Sequence, residues 1–262
     1  MSDALSGPIP PERPRVYFFA TCVIDLFMPQ AGLDAVDVLE RCGVEVHFPR
    51  AQTCCGQPAY TTGFPEEAAA VAARQLGLFP QPWPIVVPSG SCGGMLRHHW
   101  PRLFADDPAL AARAKEIASR TVEFSDYLAN TLGLRLETDD HEAQPLRVAL
   151  HTSCTARREM DTLEHGRTLL QQLPGVQRVD HDHESECCGF GGTFSVKHPE
   201  ISAEMAADKL QAIRDSRCDA FASADCGCLL NLNLMLEKQG LPLRGTHLAS
   251  LIRARMDAGA GR

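Results

Sequence analysis

ECCGFGGTFSVK, residues 186–197, contains a Cys-Cys-Gly triplet that occurs a second time in TCCGQPAY, residues 53–60. Each triplet belongs to a series of four cysteines. The first cysteine set consists of Cys22, Cys54, Cys55 and Cys92. The second cysteine set consists of Cys154, Cys187, Cys188 and Cys228. The gaps on either side of the cysteine pair are 31 and 36 residues in the first set, and 32 and 39 in the second. This agreement at four positions indicates an internal duplication.

Apolar runs and amphipathic stretches alternate in the same order in both halves. In the first half, the pattern predicts strands at residues 16–20, 44–48 and 84–88 and helices at 31–42 and 66–77. In the second half, it predicts strands at residues 147–151, 176–181 and 220–224 and helices at 163–173 and 199–215. Strands that alternate with helices predict an α/β fold, here two similar Rossmann-like lobes, each with a parallel sheet flanked by helices.

Composition sets the boundaries of these lobes and the general class of protein. We expect a flexible N-terminal lead at residues 1–14, a first lobe at 15–134, an acidic linker at about 134–146 and a second lobe at 146–255. The sequence contains no apolar run long enough for a membrane span and no signal-peptide pattern, which predicts a cytoplasmic protein. The net charge of −8 argues against nucleic acid and anionic membranes as main partners.

The cysteines favour metal or redox chemistry over a disulfide framework, because the chain has eleven of them and the predicted compartment is reducing. Each member of the two sets follows a predicted strand. The carboxyl ends of parallel strands meet at one sheet edge, where such folds bind ligands. Four thiolates at one point repel each other unless a soft cation is present, which predicts an iron–sulfur cluster, with zinc as the alternative. Adjacent cysteines suit the wider iron–sulfur cluster better.

Other polar and cysteine side chains have weaker patterns. Cys42 and Cys218 have no counterpart in the other half, so we expect them in the core. Three histidines lie near the second set: His151, His181 and His183. A histidine there could replace a thiolate as metal ligand or shuttle a proton, but we expect each to be a polar loop residue or a residue that supports the site. His98 and His99 are expected to be exposed, and Lys197 to be either exposed or charge-neutralising. No Gly-x-Gly-x-x-Gly or phosphate-binding loop occurs, so a flavin or nicotinamide is expected on a partner.

The two Cys-Cys-Gly elements, with the cysteines before and after them, resemble the cysteine-rich CCG domains of heterodisulfide reductase and of the glycolate oxidase iron–sulfur subunit. The resemblance is closer to the lactate utilization protein A family, and covers about residues 15–255. The motifs that carry it are FFATC, TCCGQPA, PSGSC, HTSC, CCGFGGTFSVK and CLLN. It implies an iron–sulfur electron-transfer subunit, with 4Fe-4S clusters held by the two cysteine sets. It further implies two partner proteins in a complex that oxidises L-lactate to pyruvate.

The chain departs from the fuller family pattern at two positions, where that pattern has a second cysteine three residues before the last. Ser89 stands there in the first half and Asp225 in the second. This predicts four cysteine ligands per cluster, in an ordinary cubane or a cluster with an open iron, rather than a five-cysteine noncubane cluster. In the second half, either Cys226 or Cys228 could be the last ligand of the set, or both could serve. Two other functions stay open, a zinc-stabilised scaffold and a thiol–disulfide enzyme that uses Cys187 and Cys188.

Overall fold

A computed structural model describes residues 13–136 and 145–260, with side chains up to residue 257. Nearly all of the predicted N-terminal lead and most of the predicted linker lie outside these ranges. Within them, the chain forms two parallel sheets of four strands, one in each half. Helices flank both sheets, so the predicted α/β fold with two similar lobes is confirmed.

The two sheets have the same strand order. The first sheet is ordered β2-β1-β3-β4, from β1 (Arg15–Phe18), β2 (Glu45–His47), β3 (Ile85–Val87) and β4 (Thr121–Glu123). The second is ordered β6-β5-β7-β8, from β5 (Leu146–Leu150), β6 (Val176–Val179), β7 (Ala220–Ser223) and β8 (Gly245–His247). All neighbouring strands are parallel. In each sheet the chain first adds a strand on one side of the central strand and then continues on the other, which creates a topological switch point.

The helices connect the strands and continue beyond them. In the first half they are α1 (Cys22–Phe27), α2 (Pro29–Arg41), α3 (Gln57–Tyr60), α4 (Pro65–Ala73), α5 (Gly90–Gly94), α6 (Trp100–Leu103), α7 (Pro108–Arg120) and α8 (Phe124–Asp126). In the second half they are α9 (Cys154–Glu159), α10 (Leu163–Gln171), α11 (Phe194–Lys197), α12 (Pro199–Asp215), α13 (Cys226–Lys238) and α14 (Leu248–Ala260). Two π-helical segments, Met95–His99 and Tyr127–Thr131, follow α5 and α8.

Local sequence explains where several of these helices begin. Proline is the first residue of α2, α4, α7 and α12, where its missing N–H costs no helical hydrogen bond. The carboxylate of Asp107 accepts from the N–H groups of Ala109 and Leu110 at the start of α7. The Asp225 carboxylate likewise accepts from Gly227 N at the start of α13.

The molecule is built in five layers, because alternate side chains of each sheet face opposite ways. Val16 and Phe18 of β1 point into a central apolar layer, whereas Tyr17 and Phe19 point into an outer one. The central layer also receives β5 and β7 side chains from the second sheet, together with α2, α8, α10 and α14. A second outer layer, under α12 and α13, covers the far face of the second sheet. The two sheets therefore share one central core.

The contacts between the halves come in matching pairs, as expected for a duplicated chain. Helix α2 of the first half packs on α14 of the second, and α10 of the second packs on α8 of the first. Near the cysteines, α5 packs on α9 and α1 packs on α13. None of the helices within residues 13–136 and 145–260 has the length and apolar character that a membrane span needs.

Candidate metal centres

Both cysteine sets lie at the carboxyl ends of their sheets, as the strand pattern predicts. Cys22 and Cys154 are the first residues of α1 and α9, which follow the central strands. Cys92 and Cys228 lie in the first turns of α5 and α13, which follow the next strands beyond the switch point. The Cys-Cys-Gly triplets lie in the segments after β2 and β6. Three such positions surround the switch point of each sheet.

The four thiols of the first set come together. The Sγ atoms of Cys22 and Cys54 are 3.6 Å apart. Those of Cys55 and Cys92 are 3.3 Å apart. The Cys55 thiol also lies close enough to Cys54 to lower the pKa of Cys54, which links the two pairs. Trp100 fixes the backbone of this group, since its Nε1 donates to the Cys55 carbonyl oxygen at 2.9 Å.

The second set has the same connections. The Cys187 thiol lies close enough to Cys154 and Cys188 for both to affect its pKa, and the sulfurs of Cys188 and Cys228 lie within 4.8 Å of each other. Asn231 has the role that Trp100 has in the first half, since its Nδ2 donates to the Cys188 carbonyl oxygen at 2.8 Å. The folded chain therefore brings together the members of each predicted set. Their assignment as ligands stays a prediction.

The glycine of each triplet has a geometric role. Gly56 and Gly189 have φ of +88° and +83°, in the left-handed region that favours glycine. Each turns its N–H back toward the first cysteine of the pair, so that Gly56 N lies 3.4 Å from Cys54 Sγ and Gly189 N lies 3.4 Å from Cys187 Sγ. A Cβ on Gly189 would also lie 2.6 Å from the Ser202 carbonyl oxygen. The triplet thus needs glycine for both backbone conformation and space.

The pKa values of the thiols show why these groups favour a cation. Interactions with the Cys22 and Cys55 thiols hold the pKa of Cys54 well below its usual range, so one thiolate is stabilised. The bond to Cys54, burial and the negative charge beside it raise the pKa of Cys22 well above its usual range. In the second set, the bond with Cys188 lowers the pKa of Cys228, but burial and the Asp225 charge bring it to about 11. The pKa values of all four thiols in the second set are raised. Any thiolate there, like a second thiolate in the first set, is thus costly until a bound cation offsets its charge.

Cys226 is directed away from the second set. It lines a cavity of about 210 Å³ between the halves, together with Cys22, Cys55 and Cys92 of the first set. Burial, the Asp225 charge and the charge of Cys92 raise the pKa of Cys226 above its usual range. Because Cys228 contacts Cys188 and Cys226 does not, the geometry favours Cys228 as the distal ligand.

Asp225 and Ser89, which replace family cysteines, bind each other rather than a cysteine set. The Ser89 hydroxyl donates to Asp225 Oδ2 at 3.3 Å, and Ser91 N donates to the same oxygen at 3.0 Å. The other oxygen, Oδ1, accepts from Gly227 N at 3.1 Å. Both carboxylate oxygens are therefore used in capping α13 and in joining it to α5 of the other half.

His151 is the polar side chain that sequence reasoning undervalued. Only 1% of its surface is exposed, and neither ring nitrogen has a hydrogen-bond partner among the described residues. One ring nitrogen and the sulfurs of Cys188 and Cys228 all lie within 4.8 Å of one another. Burial, followed by the charges of Lys209, His181 and Arg157, lowers the pKa of His151 to about 3. The ring is therefore neutral and has a free lone pair.

Lys209 and Gln75 are buried polar residues near the cysteine pairs that the sequence patterns did not single out. The Lys209 ammonium donates to the His183 carbonyl oxygen, and burial lowers the pKa of Lys209 against the opposing charges of Glu186 and Cys188. In the first half, Gln75 donates to the Cys54 carbonyl oxygen and accepts from Thr53 N. Each residue follows its cysteine pair in the sequence by about the length of one helix. Its hydrogen bonds hold the backbone at or just before that pair. The signal available in the sequence was a long polar side chain on an otherwise apolar helix face.

Two cysteines and two histidines outside the sets have structural positions. Cys42 and Cys218 are half-buried against the core, as expected. His98 and His99 are not exposed as expected, because their rings bind the Glu159 carbonyl and carboxylate of α9 in the other half. The expected exposure was wrong because the two halves pack against each other at these histidines.

Three polar side chains near the second set have partners other than its thiols: His181, His183 and Lys197. The His181 ring binds the carbonyl oxygens of Leu150 and Asp182. The His183 ring pairs with the Glu186 carboxylate at the surface. The Lys197 ammonium lies 5.5 Å from the centre of the Phe64 ring. All three therefore act as loop or surface residues in this fold.

The comparison with known proteins agrees with this geometry. The cysteine-rich domain family CCG matches residues 16–97 and 148–233, one region in each half. The chain belongs to the CCG cysteine-rich domain family. The first matched region extends beyond Cys92, and the second extends beyond Cys228. Each region therefore includes one complete cysteine set.

Relatives of full length place the chain more closely within this CCG family. Lactate utilization protein A of Bacillus velezensis is 38% identical over 92% of this chain and 100% of its own length. The protein of the same name from Geobacillus sp. (strain WCH70) is 39% identical over 92% and 100%. That from Bacillus subtilis is 37% identical over 92% and 100%. The similarity thus covers both lobes of the fold.

Proposed function

We propose that this protein is an iron–sulfur electron-transfer subunit that acts with two partner proteins in the oxidation of L-lactate to pyruvate. The name of its relatives, lactate utilization protein A, supports the link to lactate. The arrangement of the cysteines supports the iron–sulfur chemistry.

The observation that carries the proposal is the convergence of four thiols at equivalent places in two lobes. Sulfur ligands suit iron–sulfur clusters, and a bound cluster supplies one-electron transfer. The residues proposed to hold the first centre are Cys22, Cys54, Cys55 and Cys92, and those for the second are Cys154, Cys187, Cys188 and Cys228. Gly56 N and Gly189 N would direct hydrogen bonds to coordinating sulfurs, which raises a reduction potential.

The surroundings of the first set also suit exchange of electrons with a partner protein. Cys22 and Cys54 line a surface cleft, whereas Cys55 and Cys92 face inward. Leu26 and Phe48 line the same cleft and are 70% and 47% exposed. An accessible sulfur beside exposed apolar side chains is suited to a transient protein contact.

Metal analysis of two matched variants tests the proposal. After anaerobic purification, we expect iron and sulfide in the wild-type protein and an electron paramagnetic resonance signal on reduction. Cys55→Ser and Cys188→Ser should each lose about half of the iron, because each disrupts one set of four ligands. Cys218→Ser is the control, since this half-buried thiol belongs to neither set. Full iron in both set variants, or a wild-type protein that binds no iron after reconstitution, would contradict the assignment.

A zinc-stabilised scaffold is the second candidate, and one observation favours it. His151 approaches Cys188 and Cys228, and mixed histidine and cysteine ligands are typical of structural zinc. On this alternative, the purified protein contains zinc without sulfide and shows no redox-active signal. The same metal analysis therefore separates the two functions.

A further inference from the structure

The duplicated halves differ at the residue three positions before the first cysteine of each set. The first half has Phe19 and the second has His151. Both are buried at the carboxyl end of the central strand. Phe19 packs its ring against Phe79 and Trp100, as an apolar side chain in a core should. The second half therefore has an imidazole at a position where the fold itself accepts an aromatic hydrocarbon.

A buried imidazole without a hydrogen bond is unfavourable, so it needs a partner. Several polar groups around His151 have other partners, although Arg157 Nε and Thr152 Oγ1 have none among the described residues. The Lys209 ammonium donates to the His183 carbonyl oxygen, and the His181 ring binds backbone carbonyls. Arg157 donates to the Ser185 carbonyl oxygen. Among the described His, Cys, Asp and Glu side chains, the sulfurs of Cys188 and Cys228 form a group with one ring nitrogen of His151, and all three atoms lie within 4.8 Å of one another.

We propose that a ring nitrogen of His151 binds the metal of the second centre directly, beside Cys188 and Cys228. The second centre then has thiolate and imidazole ligands, whereas the first has thiolates alone. This inference rests on the proposed function only in requiring a metal at the second set. Imidazole is neutral and donates less charge than thiolate, so an imidazole in place of one thiolate raises the reduction potential of the second centre relative to the same centre with thiolates alone.

Histidine coordination is measurable without any assay of activity. Cys55→Ser removes the first centre and leaves the second for study in the full-length chain. Reduced protein that contains [15N]histidine is examined by pulsed electron paramagnetic resonance. We expect strong coupling to a histidine nitrogen, changed by the isotope and lost in His151→Phe, which places in the second half the residue that the first half uses. If the reduced centre is diamagnetic, Mössbauer spectroscopy of the Cys55→Ser background replaces this measurement. The expected result is then an iron signal that His151→Phe removes.

Two further variants separate coordination from packing. His151→Cys keeps a metal-binding side chain, so its iron content should equal that of the background variant while the nitrogen coupling is absent. His181→Phe should keep the coupling, because that ring binds backbone carbonyls. Full second-site iron with no histidine signal in the Cys55→Ser background overturns the proposal.

The outcome also separates this inference from the proposed function. Zinc in place of iron, with a histidine nitrogen detected by X-ray absorption at the zinc edge and lost in His151→Phe, overturns the proposed function and supports the role of His151. Iron and sulfide at both sets with thiolate ligands alone supports the proposed function and overturns the role of His151. A wild-type protein with no metal at the second set overturns both.

Discussion

Glu123 shows how one residue of this fold depends on its surroundings. It is the last residue of β4, and its Oε2 accepts from Ser125 N at the start of α8. The side chain is fully buried, and its Oε1 has no hydrogen-bond partner among the described residues. Burial outweighs the hydrogen bonds of Ser125 and Asp126 and raises the pKa of Glu123 to about 7. The carboxyl group therefore favours its protonated form in the folded chain.

This shift predicts how stability depends on pH. Because the folded state binds the proton more tightly, the free energy of unfolding falls as pH rises from the ordinary glutamate pKa through about 7. A shift of this size corresponds to about 3 kcal/mol. Glu123→Gln should remove that fall, as measured by chemical denaturation between pH 5 and about 8. The exposed Glu67→Gln is the control, and parallel pH profiles for wild type and Glu123→Gln would show that Glu123 does not cause the effect.

At the scale of elements, the contact between α5 and α9 requires a residue without a side chain, which is Gly90. A Cβ on Gly90 would lie 2.4 Å from Ala156 Cβ and 2.7 Å from Ala156 Cα. Ala156 belongs to the helix that begins at Cys154, and Gly90 to the helix that contains Cys92. The close approach of these two helices therefore joins the distal cysteine of one set to the first cysteine of the other.

Gly90→Ala tests this contact. The added methyl group meets backbone atoms, so the helices have to separate, and we expect a loss of about 1–3 kcal/mol in the free energy of unfolding. Gly77→Ala is the matched control, since its Cβ would meet nothing within 4 Å. Denaturant titration of both variants gives the comparison. Equal stability of Gly90→Ala and wild type would mean that α5 and α9 do not pack this closely.

At the scale of the whole molecule, the central layer makes the two halves one cooperative unit. Its buried members include Phe18 and Leu39 of the first half and Leu150 and Leu248 of the second. Ion pairs cross the same interface, from Arg41 to Asp257 and from Arg253 to Asp37. The apolar contacts dominate its stability, because exposed ion pairs contribute little.

This shared core predicts that damage in the second half is detected in the first. Both tryptophans, Trp83 and Trp100, lie in the first half. Leu248→Ala should lower the free energy of unfolding by about 2–5 kcal/mol, measured by tryptophan fluorescence as well as by circular dichroism. Leu234→Ala, at a 56% exposed position of α13, is the control. Two separate transitions, with the tryptophan midpoint unchanged in Leu248→Ala, would show that the lobes unfold independently.

The strand and helix periods predicted most of the fold from the sequence. The predicted helix at residues 199–215 matches α12 (Pro199–Asp215), and the three predicted strands of each half are all present. The fourth strands, β4 and β8, were missed because each has only three residues and no apolar run. Strand β4 is held by its pairing with β3, which includes Val87, and β8 by its pairing with β7, which includes Ser223. Local sequence patterns do not encode such pairing.

The sequence by itself determined the duplication and the α/β class, and it predicted the two cysteine sets except for the choice between Cys226 and Cys228, because these follow from spacing and local periodicity. The tertiary structure alone decided where Cys226 and Cys228 point. Two residues apart on a helix, their side chains diverge by about 200°, so Cys228 meets Cys188 while Cys226 enters the cavity beside Cys92. Likewise, only the folded structure shows that the His151 ring is buried without a hydrogen-bond partner. Burial and the lack of a partner are properties of packing and not of sequence.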